Sequence, residues 1–237
     1  MLTLSLAFMV IALAAYVQAS VGFAYALLTA PLLQLVAPAL VPGPVLLSSA
    51  ALSGLTAWRD RKWLDRRGVS LALMGRLPGA LLAGLAVGLL ATRTYDVVCG
   101  SLVMVATCLS FRGGGVRPTP VALVGAGFAS GFMGTLTSVG GPPMALVYQN
   151  ASGPTLRSTL SAFFAIGATI SIGVLSVAGR FGLKELLWGI AMFPPLAVGF
   201  YASRFTRGRL DGARLRPILL SIAGLSSLAL VIRALFF

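Results

Sequence analysis

Long apolar runs recur along this chain and limit the folds that it can adopt. They span residues 69–91, 97–111, 121–136, 159–178, 186–201 and 215–237. Several reach the roughly 20 residues that a helix needs to cross the hydrocarbon core of a membrane. A segment in lipid must satisfy its own backbone hydrogen bonds, and the period-two alternation of a barrel is absent, so helices are predicted. We therefore predict an all-α polytopic membrane protein with one integral domain, residues 1–237.

The positive charge of the chain is concentrated in short loops between the apolar runs. The formal net charge is +13, and residues 59–67 and 204–216 hold five Lys and Arg each. Such clusters are typical of cytoplasmic loops under the positive-inside rule, so we predict both segments to be cytoplasmic. The same distribution argues against a nucleic acid as the partner and makes the lipid bilayer the expected surrounding.

The number of apolar segments between these two loops conflicts with that placement. Five segments separate the loops, and five single crossings would put the loops on opposite sides. The conflict disappears if residues 118–151 enter the membrane and return to their own side, turning at Ser138-Val139-Gly140-Gly141-Pro142-Pro143. Thirteen Lys and Arg then lie inside and four outside. A broken helical hairpin is therefore predicted in the second half.

The first half follows the same plan. Residues 1–36 are broken at Ser20-Val21-Gly22, and the two breaks begin 118 residues apart (138 − 20) in a chain of 237. Each half then has a broken hairpin plus three crossings, and an odd number of crossings inverts the second copy. We predict two inverted-topology repeats, residues 1–117 and 118–237, with both termini outside. A matched pair of broken segments is the best sequence indication of a transport site.

The breaks can bind an anion without a charged side chain. Each begins a new half-helix whose first N–H groups lack partners and carry partial positive charge, and such an end attracts anions. Glycine lets the backbone approach a ligand, and proline suits the first helical turn. The alternative is that Gly and Pro only kink the helices and allow close packing. The candidate substrate-binding residues at the breaks are Ser20, Gly22, Ser138, Gly140, Gly141 and Pro142.

Two further polar residues are candidates for the same site. Gln18 lies beside the first break, and Arg76 is a charge within a long apolar run. An ionisable residue inside a membrane is by default a functional candidate, although Arg76 could instead extend its side chain to the headgroups. The five acidic residues all fall in loops or at predicted helix ends. Their positions disfavour cation transport and favour a negatively charged substrate.

Other kinds of site have little support in the sequence. The chain has no His, and its two cysteines, Cys99 and Cys108, form no CxxC motif. A metal site is therefore improbable, and we predict no cofactor. With no nucleophile–base pair in the apolar runs, we predict no catalytic residue and no enzymatic activity.

Two motifs resemble those of a known transporter family. Gly131-Phe132-Met133-Gly134, followed by 138–145, is similar to the second-half motif of the TauE/SafE sulfite exporters, a two-repeat family of anion permeases also called TSUP. The stretch 20–23, followed by Pro31-Leu32-Leu33, resembles the first motif, although Phe23 stands where glycine is common. The resemblance implies a bacterial inner-membrane permease for sulfite, sulfonates or similar anions. It carries over Gly22, Gly140, Gly141 and Pro142, and we add Phe23 as a candidate substrate contact.

These observations favour a secondary transporter that moves a small anion by alternating access between the two halves. Export is the expected direction, because a membrane potential negative inside drives anions outward. An anion channel and a membrane scaffold subunit are the alternatives. The sequence leaves open which anion is carried and whether the protein forms a homodimer.

Overall fold

The computed structural model describes residues 2–22, 24–89, 97–98, 100–105, 107–108, 116–205, 221–222, 224–226, 228–229 and 231–232. The regular structure within these ranges is helical, with no strand. The helices are α1 Leu2–Val21, α2 Tyr25–Val36, α3 Gly43–Asp60, α4 Arg66–Leu89, α5 Pro120–Thr137, α6 Gly141–Tyr148, α7 Gly153–Val177, α8 Leu183–Ala191 and α9 Phe193–Ala202. Described residues in 97–108 and 221–232 are also helical. Phe23 and most of the basic segment 204–216 lie outside the described residues.

Four helical stretches of the described chain are long and apolar enough to cross a membrane. They are Arg66–Val87, Pro120–Thr137, Gly153–Val177 and Leu183–Phe205. Two shorter apolar helices, Ser5–Val21 and Tyr25–Val36, accompany them. The predicted all-α membrane class is confirmed, whereas the inversion of residues 118–237 relative to 1–117 stays a prediction.

Helices are interrupted at both of the predicted breaks. Between α1 and α2, Gly22 has a φ of +111°, which glycine adopts without the steric cost of a Cβ. Between α5 and α6, Ser138 has a φ of +64°, a conformation that is uncommon for a residue with a side chain. Two hydrogen bonds fix this second turn: Ser138 Oγ donates to the carbonyl of Pro42 at 3.0 Å, and Val139 N donates to Thr137 Oγ1 at 3.0 Å.

Helices α4 and α5 pack closely through glycines spaced four residues apart on each helix. A Cβ added at Gly75 or Gly79 would lie 1.9 or 2.2 Å from a carbonyl oxygen of α5. One added at Gly127 or Gly131 would lie 1.9 or 2.2 Å from a carbonyl oxygen of α4. The residue numbers of the contacting positions increase together along α4 and α5, so the two helices run parallel. This spacing of small residues is the pattern that lets membrane helices approach closely, and it places Arg76 against α5.

Helix α3 packs against α7 and α8. Helix α1 packs against α9. The predicted single crossing 186–201 is not one continuous helix, since α8 ends at Ala191 and α9 begins at Phe193. Pro194 and Pro195 occupy the first turn of α9 and supply no N–H groups to continue the hydrogen-bond ladder of α8. The two short helices still lie within one apolar stretch long enough to span a membrane, Leu183–Phe205.

Candidate anion-binding site

A small cavity lies between the helices where the two breaks approach each other. Its volume is about 20 Å³, which is room for about one water molecule. Among the residues predicted from the sequence, Gln18, Arg76, Ser138, Gly140 and Gly141 line it. The other lining residues are Ala26, Leu27, Leu46, Ser49, Phe164 and Ala168.

Arg76 is an interior side chain, with 2% of its surface exposed. Its Nη1 donates to Ser130 Oγ at 2.9 Å and its Nη2 to Ser171 Oγ at 3.5 Å. Its Cζ lies 4.9 Å from the centre of the Phe163 ring, a geometry in which the ring attracts a cation. Its Nε has no hydrogen-bond partner. Arg76 therefore does not extend to the headgroups, which removes that alternative.

The charge of Arg76 is not balanced by an acidic residue in the described part of the chain. The ion pairs found there both involve Asp60, which pairs with Arg59 and Arg157. Burying a charge is costly unless it is paired and hydrogen-bonded, and hydroxyls satisfy hydrogen bonds without cancelling charge. The site therefore offers a positive potential to any anion that enters it.

The start of α6 adds a second source of positive potential at the same place. Gly140 precedes the helix as its N-cap and Gly141 is its first residue. A Cβ at Gly140 would lie 3.3 Å from Arg76 Nη1, so the guanidinium group is adjacent to this helix end. Ser130 Oγ, which accepts from Arg76, donates to the carbonyl of Gly140 at 2.5 Å. Ser130 thus links the arginine to the second break.

The start of α2 faces the cavity from the other break. Ala26 and Leu27, in its first turn, are lining residues. Gln18 Oε1 accepts from the backbone N–H of Tyr25 at 2.8 Å, and its Nε2 donates to Ser53 Oγ at 2.9 Å. Gln18 therefore joins the end of α1 to the start of α2 and to α3. Two half-helices begin beside one cavity, which is the arrangement that an anion site at the two breaks requires.

Three of the predicted residues do not line the cavity. Ser20 Oγ donates to the carbonyl of Tyr16 at 2.9 Å, within its own helix. Gly22 packs against Arg157, whose Cα would lie 2.8 Å from a Cβ at position 22. Pro142 is buried in the first turn of α6. The first break therefore contributes to the cavity through Gln18 and α2 rather than through Ser20 or Gly22.

The structure also places residues around Arg76 that the sequence analysis did not single out. They are Ser130, Ser171 and Gly167. A Cβ at Gly167 would lie 1.8 Å from Arg76 Nε, so only glycine leaves room for the guanidinium group in this position. Thr135 Oγ1 and Ser171 Oγ are 2.8 Å apart. The sequence held one indication of these residues. A buried arginine needs hydrogen-bond acceptors, and the hydroxyls of Ser130 and Ser171 both lie within apolar runs.

The chain also matches a known protein family. The family description "Sulfite exporter TauE/SafE" matches residues 7–230. No curated protein and no solved structure gives a significant match. The family match covers nearly the whole chain and includes both breaks and Arg76. This chain therefore belongs to the sulfite exporter TauE/SafE family, whose members are membrane transporters of anions.

Proposed function

We propose that this protein is a secondary transporter that exports small anions, such as sulfite or organosulfonates, across the bacterial inner membrane. The anion binds in the cavity beside Arg76, between the starts of α2 and α6. In this proposal the basic segments 59–67 and 204–216 are cytoplasmic, both termini are outside, and the protein catalyses no reaction.

The observation that carries the proposal is the environment of Arg76. The guanidinium group is buried, no carboxylate within the described ranges balances it, and it lies beside the N-terminal end of α6. Two positive groups that converge on a cavity favour an anion over a neutral or cationic solute. A charge-assisted hydrogen bond contributes about 1.5–3 kcal/mol, so loss of the Arg76 side chain should lower affinity measurably.

The size of the cavity favours a carrier over a channel. An open channel needs a continuous hydrated path, whereas the cavity beside Arg76 is about 20 Å³ in volume, room for about one water. An anion enters such a site by displacing its water while the surrounding helices separate. A membrane potential negative inside drives the anion outward at about 2.3 kcal/mol per charge for each 100 mV, so export needs no coupling ion.

Anion flux from proteoliposomes tests this assignment. The substrate panel is sulfite, thiosulfate, sulfoacetate, taurine and simple carboxylates. Arg76→Leu should weaken binding of the preferred anion at least tenfold. Arg67→Leu removes the same charge from an exposed position and should leave affinity unchanged.

Two results would overturn the proposal. Unchanged affinity in the Arg76→Leu protein would place the anion elsewhere. Flux that does not saturate with concentration would identify a channel, because a carrier must complete a conformational cycle for each bound anion.

A further inference from the structure

We infer that the anion reaches the cavity along a buried polar seam between α3 and α7, and that an ion pair between Asp60 and Arg157 closes the end of this seam. The inference rests on the proposed transport function and adds to it a route and a gate. We call these residues, with Arg59 and the end of α1, the Asp60–Arg157 gate. It lies at the basic segment 59–67.

One side of the seam is a face of α3 that is polar and buried along its length. Its residues are Ser49, Ser53, Thr56 and Asp60. They are spaced by four, three and four residues, so they lie on one face of the helix. Ser49 lines the cavity, and the exposed fractions are 7%, 0%, 0% and 3% in chain order. Asp60 is the last residue of the helix, so this face leads from the cavity to the gate.

The other side of the seam is the matching face of α7. Arg157, Ser161, Phe164 and Ala168 have the same spacing, and the last two line the cavity. Ser161 is fully buried, and its hydroxyl has no hydrogen-bond partner. An unsatisfied buried hydroxyl costs about as much free energy as a lost hydrogen bond. Water or a polar solute in the seam would supply the missing hydrogen-bond partner.

The gate holds three helices together at the end of the seam. Arg157 Nε donates to Asp60 Oδ2, and its Nη1 donates to the carbonyl of Ser20 at 3.4 Å. Arg59 Nη2 donates to the carbonyl of Ala19 at 2.6 Å. The two arginines therefore bind the last carbonyls of α1, the end of a helix that attracts cations. Their contacts with Asp60 join that end to α3 and α7.

The charge of the gate suits an anion route. Two arginines and one aspartate leave one positive charge in excess, which attracts an anion from solution. An anion that binds Arg157 competes with Asp60 for the same N–H groups. Loss of the Asp60 contact frees the end of α3 from the start of α7 and opens the seam at that end. Gly22 lies directly over Arg157, which gives the first break a role in closing the route.

Chemical access to Ser161 tests the gate without any transport measurement. In a protein with Cys99→Ser and Cys108→Ser, Ser161→Cys places a thiol of similar size inside the seam. A membrane-impermeant methanethiosulfonate reagent is applied to each face of sealed vesicles in turn. Asp60→Asn should raise the modification rate at least tenfold from the face that carries segment 59–67. Asp65→Asn, which removes the same charge five residues away, should not.

A second pair of variants keeps the test decisive if Asp60→Asn does not fold. Arg157→Gln should open the seam in the same way, and the exchange Asp60→Arg with Arg157→Asp should return the rate toward that of the parent. Rates within twofold of the parent in every folded single variant would overturn the gate. Because modification needs no bound anion, that failure differs from a failure of Arg76→Leu to weaken anion binding.

Discussion

Replacing Gly167 by alanine should weaken anion binding by displacing Arg76. A Cβ at position 167 would lie 1.8 Å from Arg76 Nε, 2.2 Å from its Cζ and 2.4 Å from its Cδ. Ordinary van der Waals contact begins near 3.4 Å, so the guanidinium group must move by about 1.6 Å (3.4 − 1.8). The arginine is also held by its hydrogen bond to Ser130 of α5 and by the ring of Phe163, one turn from Gly167 on α7. It therefore leaves its position rather than adjusting within it.

The size of the effect follows from the contacts that are lost. A movement of about 1.6 Å (3.4 − 1.8) exceeds the tolerance of a hydrogen bond of ordinary length. A charge-assisted hydrogen bond contributes about 1.5–3 kcal/mol, and each 1.4 kcal/mol is a factor of ten. We expect the dissociation constant of the preferred anion to rise about 10- to 150-fold. Alanine is also a better helix former than glycine, which offsets part of any loss of stability.

Calorimetric titration of the purified protein with sulfite measures this change. Gly173→Ala is the matched control, because it lies on the same helix and a Cβ there meets nothing within 4 Å. A double-mutant cycle then shows whether Gly167→Ala weakens anion binding through Arg76. In the Arg76→Leu background, Gly167→Ala should weaken binding no further. An equal loss in both backgrounds would refute the argument, as would normal affinity in the single variant.

Two other substitutions probe the supports of the site. Gly79→Val should reduce the yield of folded protein, since a Cβ at this position would lie 2.2 Å from the carbonyl oxygen of Phe128. Gly125→Ala is the control and should be tolerated, because a Cβ there meets nothing within 4 Å. Size-exclusion chromatography of each variant measures the yield of folded protein. Ser130→Ala removes the hydroxyl that links Arg76 to Gly140 and should weaken anion binding about 5- to 30-fold, at about 1–2 kcal/mol for the lost contacts. Retained affinity in that variant would show that the link does not position the arginine.

The helical class and the positions of both breaks could be predicted from the sequence, because they depend on local composition. The candidacy of Gln18 and Arg76 could be predicted for the same reason, since a polar residue inside an apolar run is conspicuous. The contact between Gly22 and Arg157 could not, because it joins residues 135 positions apart (157 − 22). The local sequence pattern therefore predicted that Gly22 contacts the substrate, whereas in the folded protein Gly22 packs against Arg157 of the Asp60–Arg157 gate.

The residues that surround Arg76 also could not be predicted from the local sequence pattern. Ser130 and Ser171 are ordinary small residues of apolar helices until the fold brings them to the guanidinium group. The interruption between α8 and α9 is different, because Pro194 and Pro195 were visible in the sequence. Two adjacent prolines within an apolar run are sufficient reason to expect a helix to end just before them.

The glycine contacts between α4 and α5 also decide which parts of the protein can move independently. Backbone touches backbone at Gly75, Gly79, Gly127 and Gly131, so sliding one helix along the other meets steric resistance at each step. Arg76 and the helix that leads into the second break therefore form one rigid body. In the proposed transport cycle, a bound anion would keep the same counter-charge while access to it changes. In that proposed cycle, the barrier to anion release would depend on how readily α1, α2 and α3 separate from this rigid body. The anion would not need to be transferred between charged groups.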